Sequence, residues 1–298
     1  MKFSSLGSGS EGNCWLFSDA HPVHPTLVMV DCGFATKEVV ARLERVGVKP
    51  EAITGIVVTH EHGDHVSGVF KFSRKFNTPV FLTHGTWQAA LRSKHSTENY
   101  LETGLVSLID SHSSFSVGQV LIDPFPVPHD AREPIQMLLR VSGFTAGILT
   151  DCGHATPHML SKLSQADALV LESNHCPTML AQSPYPESLK RRVGGHYGHL
   201  SNQVACQILE HLKFKRLRYV VAAHLSRNTN CPDLVSRMWA EVLGPAGVPF
   251  GVACQDNGFA WWDLQNVSAK LPASEPTGES SGNVDQSEFD GESEQAAA

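Results

Sequence analysis

No run of this 298-residue sequence approaches the roughly 18 consecutive apolar residues that a membrane-spanning helix requires. The opening MKFSSLGSGSEGN has a lysine but no apolar stretch of signal-peptide length, so the cytoplasm is the expected compartment and no membrane partner is expected. Paired cysteines are missing too. The seven cysteines (Cys14, Cys32, Cys152, Cys176, Cys206, Cys231 and Cys254) are scattered, odd in number and never spaced CxxC. That argues against a zinc ribbon and a disulfide framework, and most of them read as buried thiols serving as small apolar groups. Excess positive charge is also absent. The net charge is −7, and residues 266–298 hold seven acids against one base, Lys270, so residues 1–265 carry only −1. A nearly neutral body gives no global sign of a nucleic-acid binder. Local basic clusters remain at Lys190, Arg191 and Arg192, and at Lys213, Lys215, Arg216 and Arg218, where a solvated surface competes with a phosphate-binding role.

What is present begins with composition. Hydrophobic residues make up 41% and charged residues 18%, enough apolar material for a real core. The stretch from 266 to 298 is rich in Ser, Gly, Glu and Gln, and reads as a disordered acidic tail behind a single domain of residues 1–265. Within that domain, apolar runs of strand length recur at 26–31, 53–59, 79–83, 119–127, 144–150, 168–172, 218–224 and 249–254. Helical periodicity lies between several of them. In KEVVARLERV, Val39, Val40, Leu43 and Val46 share a face; in SNQVACQILEHL, Val204, Ile208, Leu209 and Leu212 do so behind the N-cap candidate Ser201. Such alternation indicates an α/β fold with largely buried sheets.

Ligand-type side chains gather where the apolar runs end: Asp31, His60, His129, Asp151, Glu172 and His224. Sites in layered α/β proteins assemble from the loops at one sheet edge, and a row of such residues in successive units fits that arrangement better than isolated structural histidines do. The densest stretch is THEHGDH, 59–65. His60 and His62, two apart in an extended loop, can point the same way, whereas Asp64 and His65 sit at the turn into the amphipathic segment DHVSGVFKF. The segment therefore reads as straddling two adjacent ion sites, with His129, Asp151 and His224 available to complete them.

HxHxDH, a later His, an Asp in TDCG and a final His resemble the five-motif pattern of the metallo-β-lactamase fold, over about residues 3–262. That fold is a four-layer αβ/βα sandwich with its metal site at one edge of the two sheets. SLGSGSEGN, VDCG, VPHDAREP, ESNHCP, GHLSN and HLSRNTNCP resemble the bacterial YycJ/WalJ-like branch, which lies near the RNase Z-type phosphodiesterases and is associated with DNA exonuclease activity. The resemblance implies that His60, His62 and His129 ligate one ion, Asp64, His65 and His224 a second, and that Asp151 bridges them. Histidine and carboxylate donors suit zinc, with manganese as the alternative. Two such ions about 3.5–4 Å apart can generate a bridging hydroxide at neutral pH and stabilise an anionic transition state. The catalytic residues it implies are Asp64, while also ligating, and His199 of GHLSN, as proton donor or phosphate contact; otherwise His199 caps the following helix. Glu172 and Asp31 are expected to orient ligand histidines. Two positions depart from the branch: Cys176, where an acid is usual, and Thr229–Asn230, where paired asparagines are common.

The leading expectation is thus a two-metal phosphodiesterase acting on DNA from an end, with nucleic acid as its partner. The alternative is a two-metal hydrolase of a small ester, thioester, lactam or cyclic phosphodiester, since fold does not settle substrate. Oxygen-reducing di-iron chemistry is disfavoured because those relatives carry an acid where this chain has His62. A non-catalytic module ranks last, because none of the seven ligands is missing.

Overall fold

In a computed structural model that describes residues 1–19, 21–92 and 103–266, the chain forms two seven-stranded sheets face to face. Strands β1 (Lys2–Gly7), β2 (Cys14–Ser18), β3 (Leu27–Val30), β4 (Gly55–Val57), β5 (Val80–Thr83) and β6 (Val106–Ile109) build the first in chain order. The second runs β7 (Phe115–Val117), β8 (Val120–Pro126), β9 (Ile135–Val141), β10 (Phe144–Leu149), β11 (Ala168–Glu172), β12 (Tyr219–Ala223) and β13 (Phe250–Val252). Strand β14 (Phe259–Asp263) returns to pair with β1, antiparallel. The pairs β3–β4, β4–β5 and β5–β6 are parallel, as are β10–β11, β11–β12 and β12–β13.

Period-two alternation divides the core into layers. In β2, Trp15 and Phe17 join the cluster between the sheets, while Cys14 and Leu16 face the outer helices. In β12, Val221 and Ala223 face inward between the sheets, and Val220 and Ala222 face the opposite helical layer. Strands such as β12, buried on both faces, show unbroken apolar runs, which is why they stood out in the sequence. Over the first sheet pack α1 (Thr36–Arg45), α2 (Gly63–Val66), α3 (Val69–Phe76) and α4 (His84–Arg92), with Val39, Leu43, Val66, Val69, Phe70 and Trp87 in their shared core. Over the second lie α5 (Pro157–Leu163), α8 (Asn202–Leu212) and α9 (Pro232–Leu243), while the short helices α6 (Pro177–Gln182) and α7 (Glu187–Val193) stand in the connection from β11 to α8. Met159, Ile208, Leu209, Val235 and Trp239 bury the faces of α5, α8 and α9, each large side chain contributing roughly 1.5–3 kcal/mol. The architecture is the expected four-layer αβ/βα sandwich.

All eight expected strands are present, and the Ser201 hydroxyl accepts from Val204 N at the start of α8. The segment DHVSGVFKF is two short helices rather than one, broken at Gly68. There a Cβ would stand 2.0 Å from the Phe34 carbonyl oxygen, and the glycine N–H donates to Cys32 O at 2.8 Å. The expected acidic tail, 266–298, lies outside the described residues except for Asn266. Among the described residues no helix is long and apolar enough to cross a membrane.

Candidate metal centre

Strands β3, β4, β8, β10, β11 and β12 all point their carboxyl ends at one edge, where Asp31, His60, His129, Asp151, Glu172 and His224 follow. The loop after β8 is tied to the first sheet through Ile135 N donating to Thr59 O at 3.0 Å. The structure brings all seven expected ligands together. The ligating atoms of His60, His62 and His129 lie within 4.8 Å of one another, and so do those of Asp64, His65 and His224. Asp151 lies between the two trios: its Oδ1 is 3.9 Å from His129 Nε2 and 3.5 Å from His224 Nε2, and its Oδ2 is 3.0 Å from His65 Nε2.

Supporting hydrogen bonds tie one ring nitrogen and leave the other for the centre. His65 Nδ1 lies 2.8 Å from Asp31 Oδ2, and His129 Nδ1 lies 3.1 Å from Gly198 O. Thr59 Oγ donates to Asp31 Oδ2, so its lone pair accepts the Nδ1–H of His60, 3.0 Å away. This network assigns a proton to Nδ1 in all three rings, so that the lone pair of each neutral ring is on Nε2. His60 Nε2 is buried with no hydrogen-bond partner among the described residues; Asp151 Oδ2, though close to His65, has none of acceptable geometry. A buried lone pair and a buried carboxylate oxygen left unpaired beside each other are costly in an empty protein interior and suit a cation. The donor set therefore fits divalent metal ions.

Electrostatics agree. Burial opposes the ionised form of Asp64 and Asp151, yet the surrounding imidazoles outweigh it and hold both carboxyls below the usual range. Burial likewise lowers His65 and His224, but Asp151 first and then Asp64 more than compensate, taking His224 up to about 10. His60 and His129 go the other way, pushed down by burial and by neighbouring rings. Histidine must be neutral to ligate, so an ion binding here displaces protons from His65 and His224.

His199 does not cap α8; Ser201 does. Instead, His199 Nδ1 lies 2.8 Å from Glu172 Oε1 and 3.4 Å from Asp151 Oδ1, and the ring lines a cavity of about 400 Å³ above the cluster. His62, Asp64, Asn174, Tyr185 and Arg192 share that lining. The loops ESNHCP and GHLSN are stitched together by Asn174 N to Leu200 O at 2.9 Å and Asn202 N to His175 O at 2.9 Å. Of the departures noted in the sequence, Cys176 precedes α6, with its N–H on Thr229 O; Thr229 lines the cavity and Asn230 binds the carbonyls of Ser173 and Asn174.

Asn13 is the functional residue that sequence reasoning missed. Its amide nitrogen donates to Asp64 Oδ2 at 3.3 Å, while its oxygen accepts from Gly9 N and Ser8 Oγ; the Ser8 hydroxyl in turn accepts from His224 N. The motif SLGSGSEGN therefore joins Asp64 to His224, a role its small polar residues do not disclose in isolation. Arg192 of the first basic cluster reaches the cavity, whereas in the second cluster Lys213 pairs with Glu210, and Arg216 and Arg218 lie on Asp167.

A family profile described as a β-lactamase superfamily domain matches residues 26–224, and the chain belongs to that superfamily, in its class of metal-dependent hydrolases. Nearly its whole length is similar to exodeoxyribonuclease YycJ of Bacillus anthracis, at 30% identity over 273 residues, covering 91% of this chain and 97% of that protein. Exodeoxyribonuclease WalJ of Streptococcus pneumoniae is 28% identical over 252 residues, covering 85% and 91% respectively. Among solved structures, the fold is shared with Zn²⁺-bound PqqB of Methylobacterium extorquens, at TM-score 0.64 and 15% identity over 88% of this chain and 100% of that one. It is shared as well with the short form of human tRNase Z, at TM-score 0.59 and 18% identity over 89% and 99%.

Proposed function

We propose that this chain is a two-metal phosphodiesterase that degrades DNA from an end. The observation that carries the reading is the meeting of two ligand trios at Asp151 beneath a cavity that His199 also lines. His60, His62 and His129 would hold one ion and Asp64, His65 and His224 the other, with Asp151 shared; zinc is the first choice and manganese the second. When bound, such ions supply an activated water at neutral pH and neutralise the charge that builds on a phosphate. The chain's own residues do the rest. Asp64, in α2 and held by Asn13, and Asp151, just after β10, would fix where the ions are held relative to the phosphate. His199 is anchored through Nδ1 on Glu172, and its other nitrogen, which has no hydrogen-bond partner among the described residues, would donate a proton to the leaving oxygen. DNA as substrate is supported by the two exodeoxyribonuclease relatives.

The reading is tested by digestion of end-labelled DNA with zinc or manganese, run beside bis-p-nitrophenyl phosphate. Wild type should shorten the DNA from an end and Asp151→Ala should not; equal digestion by the two, or by neither, would sink the claim. A cavity of about 400 Å³ lies within the range of small-ligand sites and favours one second reading, hydrolysis of a small ester or cyclic phosphodiester. Cleavage of the small ester alone would establish it. Metal stoichiometry is a separate measurement: two ions per chain are expected at saturation, and a single tight ion with no second site contradicts the role of Asp151 as a bridge.

A further inference from the structure

Among the described residues that line the cavity, Arg192 alone carries a permanent positive charge. Its basic neighbour Lys190 turns away, to Ala181 O at 2.8 Å and Glu187 at 3.0 Å. Arg192 instead reaches across from the end of α7 to the loop that holds His129. Its Nε lies 2.5 Å from Asp130 Oδ2, and its Nη2 lies 3.4 Å from Asp130 Oδ1. Asp130 Oδ1 is in turn 3.7 Å from His62 Nε2 and 3.5 Å from His129 Nε2, so the guanidinium is anchored beside the first ligand trio.

Stability does not account for this pair. The two side chains are 57% and 31% exposed, and ion pairs of that kind contribute only about 0–1 kcal/mol. The backbone nevertheless fixes them closely. His199 N donates to Val193 O at 2.9 Å, Gly198 N to Gly195 O at 2.9 Å and Asp130 N to Tyr197 O at 3.0 Å. A Cβ on Gly198 would stand 2.1 Å from the Arg192 carbonyl oxygen, so the turn closes directly on the residue that carries the guanidinium. One frame therefore holds Asp130 against Arg192 and fixes Arg192 and His199 on the wall of the same cavity.

We propose that Arg192 is the phosphate clamp of this site: its guanidinium binds a non-bridging oxygen of the scissile phosphate, and Asp130 holds it aimed at the cavity between turnovers. This rests on the phosphodiesterase reading above. A guanidinium presents five N–H donors in a planar fork matched to carboxylate and phosphate oxygens. Asp130 engages one donor well and a second loosely, and Nη1 makes no hydrogen bond among the described residues. The need for such a donor comes from the wall itself. Asp64 and Asp151 line the cavity, and Asp130 sits against Arg192 and His62 of that lining, a set of carboxylates that repels a phosphodiester wherever bound ions do not offset it. The second basic cluster offers no substitute, because none of its side chains lines the cavity.

The test uses the zinc-loaded full chain with Arg192→Ala and Arg192→Lys. Zinc content and melting temperature are measured first, then calorimetric binding of inorganic phosphate, then kinetics on end-labelled DNA and bis-p-nitrophenyl phosphate. Expected are unchanged zinc content, phosphate binding weakened about tenfold or more in Arg192→Ala, and KM raised about tenfold for both substrates with a smaller effect on kcat. Arg192→Lys should recover only part of the loss, since a point charge does not reproduce the fork. Phosphate affinity within twofold of wild type in Arg192→Ala overturns the clamp, and so does a lowered melting temperature as the sole change. A KM rise for DNA alone overturns the scissile assignment by placing Arg192 on a flanking phosphate. Should wild type cleave neither substrate, the phosphodiesterase reading fails, and the phosphate titration still decides the clamp.

Discussion

Glu172 is fully buried at the end of β11, and four groups converge on it. Oε2 accepts from Cys152 N at 3.1 Å and Leu200 N at 3.0 Å; Oε1 meets His199 Nδ1 at 2.8 Å and lies 3.4 Å from His224 Nδ1. Although its oxygens are within ligating reach of Asp151, His199 and His224, both are already engaged, which makes Glu172 a positioning residue. Glu172→Gln keeps the volume and one carbonyl oxygen for the two backbone donors. The other end becomes an amide that presents hydrogens to His199 and His224 where they met an anion. A hydrogen bond to a charged group is worth about 1.5–3 kcal/mol, or roughly 10–150-fold in an equilibrium or a rate. Outer partners of ligating histidines lose 10–100-fold in affinity or activity on replacement, which sets the same scale. Zinc affinity at the ion site proposed around His224 and kcat on a phosphodiester should both fall about 10–100-fold, read by competition calorimetry and by initial rates. A Gln variant that binds two ions as tightly as wild type and turns over within twofold of it would refute the reasoning.

Three further perturbations follow from the same geometry. Asp31 accepts from Thr59 N, from the Thr59 hydroxyl and from His65 Nδ1, each at 2.8 Å, so Asp31→Ala should cost about 2–4 kcal/mol in chemical denaturation and weaken binding of the ion proposed at His65; an unchanged midpoint rules this out. At Gly33 a Cβ would stand 1.8 Å from Asp64 O, so Gly33→Ala should lower both melting temperature and metal stoichiometry. Gly244→Ala, which meets nothing within 4 Å, should change neither, and equal effects from the two would contradict the packing argument. Burial lowers His175 from its ordinary value to about 4. Between pH 4 and 6.5 the unfolded chain therefore binds a proton that the folded chain refuses, so stability rises with pH across that window and is level above it. His175→Gln should flatten the wild-type slope there, by at most about 1.4 kcal/mol per pH unit; parallel profiles for the two proteins would refute the assignment.

The fold was legible in strands such as β10, β11 and β12, where burial on both faces removed polar residues, though not in the equally buried β2. It was hidden where small polar groups are buried and satisfied locally. In β1, Ser4 Oγ donates to Phe259 O and Ser5 Oγ to Cys14 O, so the strand carries no apolar run to announce it. In β9, buried Gln136 interrupts the pattern because its amide donates to Thr150 O at 2.7 Å. Helix α7 buries no residue, and its basic sequence reads as solvated surface until the turn at Gly198 places Arg192 on the cavity. The candidate site was legible for another reason. Six ligand-type residues stand at strand ends, and strand ends can be located from the apolar runs that precede them. Asn13 and Arg192 follow no such run, and their partners at the site, Asp64 and Asp130, are distant in sequence.

Backbone conformation supplies the connection between those strand ends and the chemistry. Among the described residues five non-glycines have positive φ, and three of them are Asp31 (60°), Asp151 (53°) and His224 (55°), following β3, β10 and β12. The left-handed region costs a non-glycine residue roughly 1–3 kcal/mol and persists where the surroundings over-determine it. Each of the three is held: Asp31 N by Val57 O, Asp151 by the side chains crowded around its carboxylate, and His224 N by the Ser8 hydroxyl. Aspartate and histidine are among the residues that tolerate this region best, and they are also the residues that ligate divalent ions. The same turn ends each strand and carries a polar side chain to the shared edge, so the two sheets position the centre through their backbones before any metal contributes.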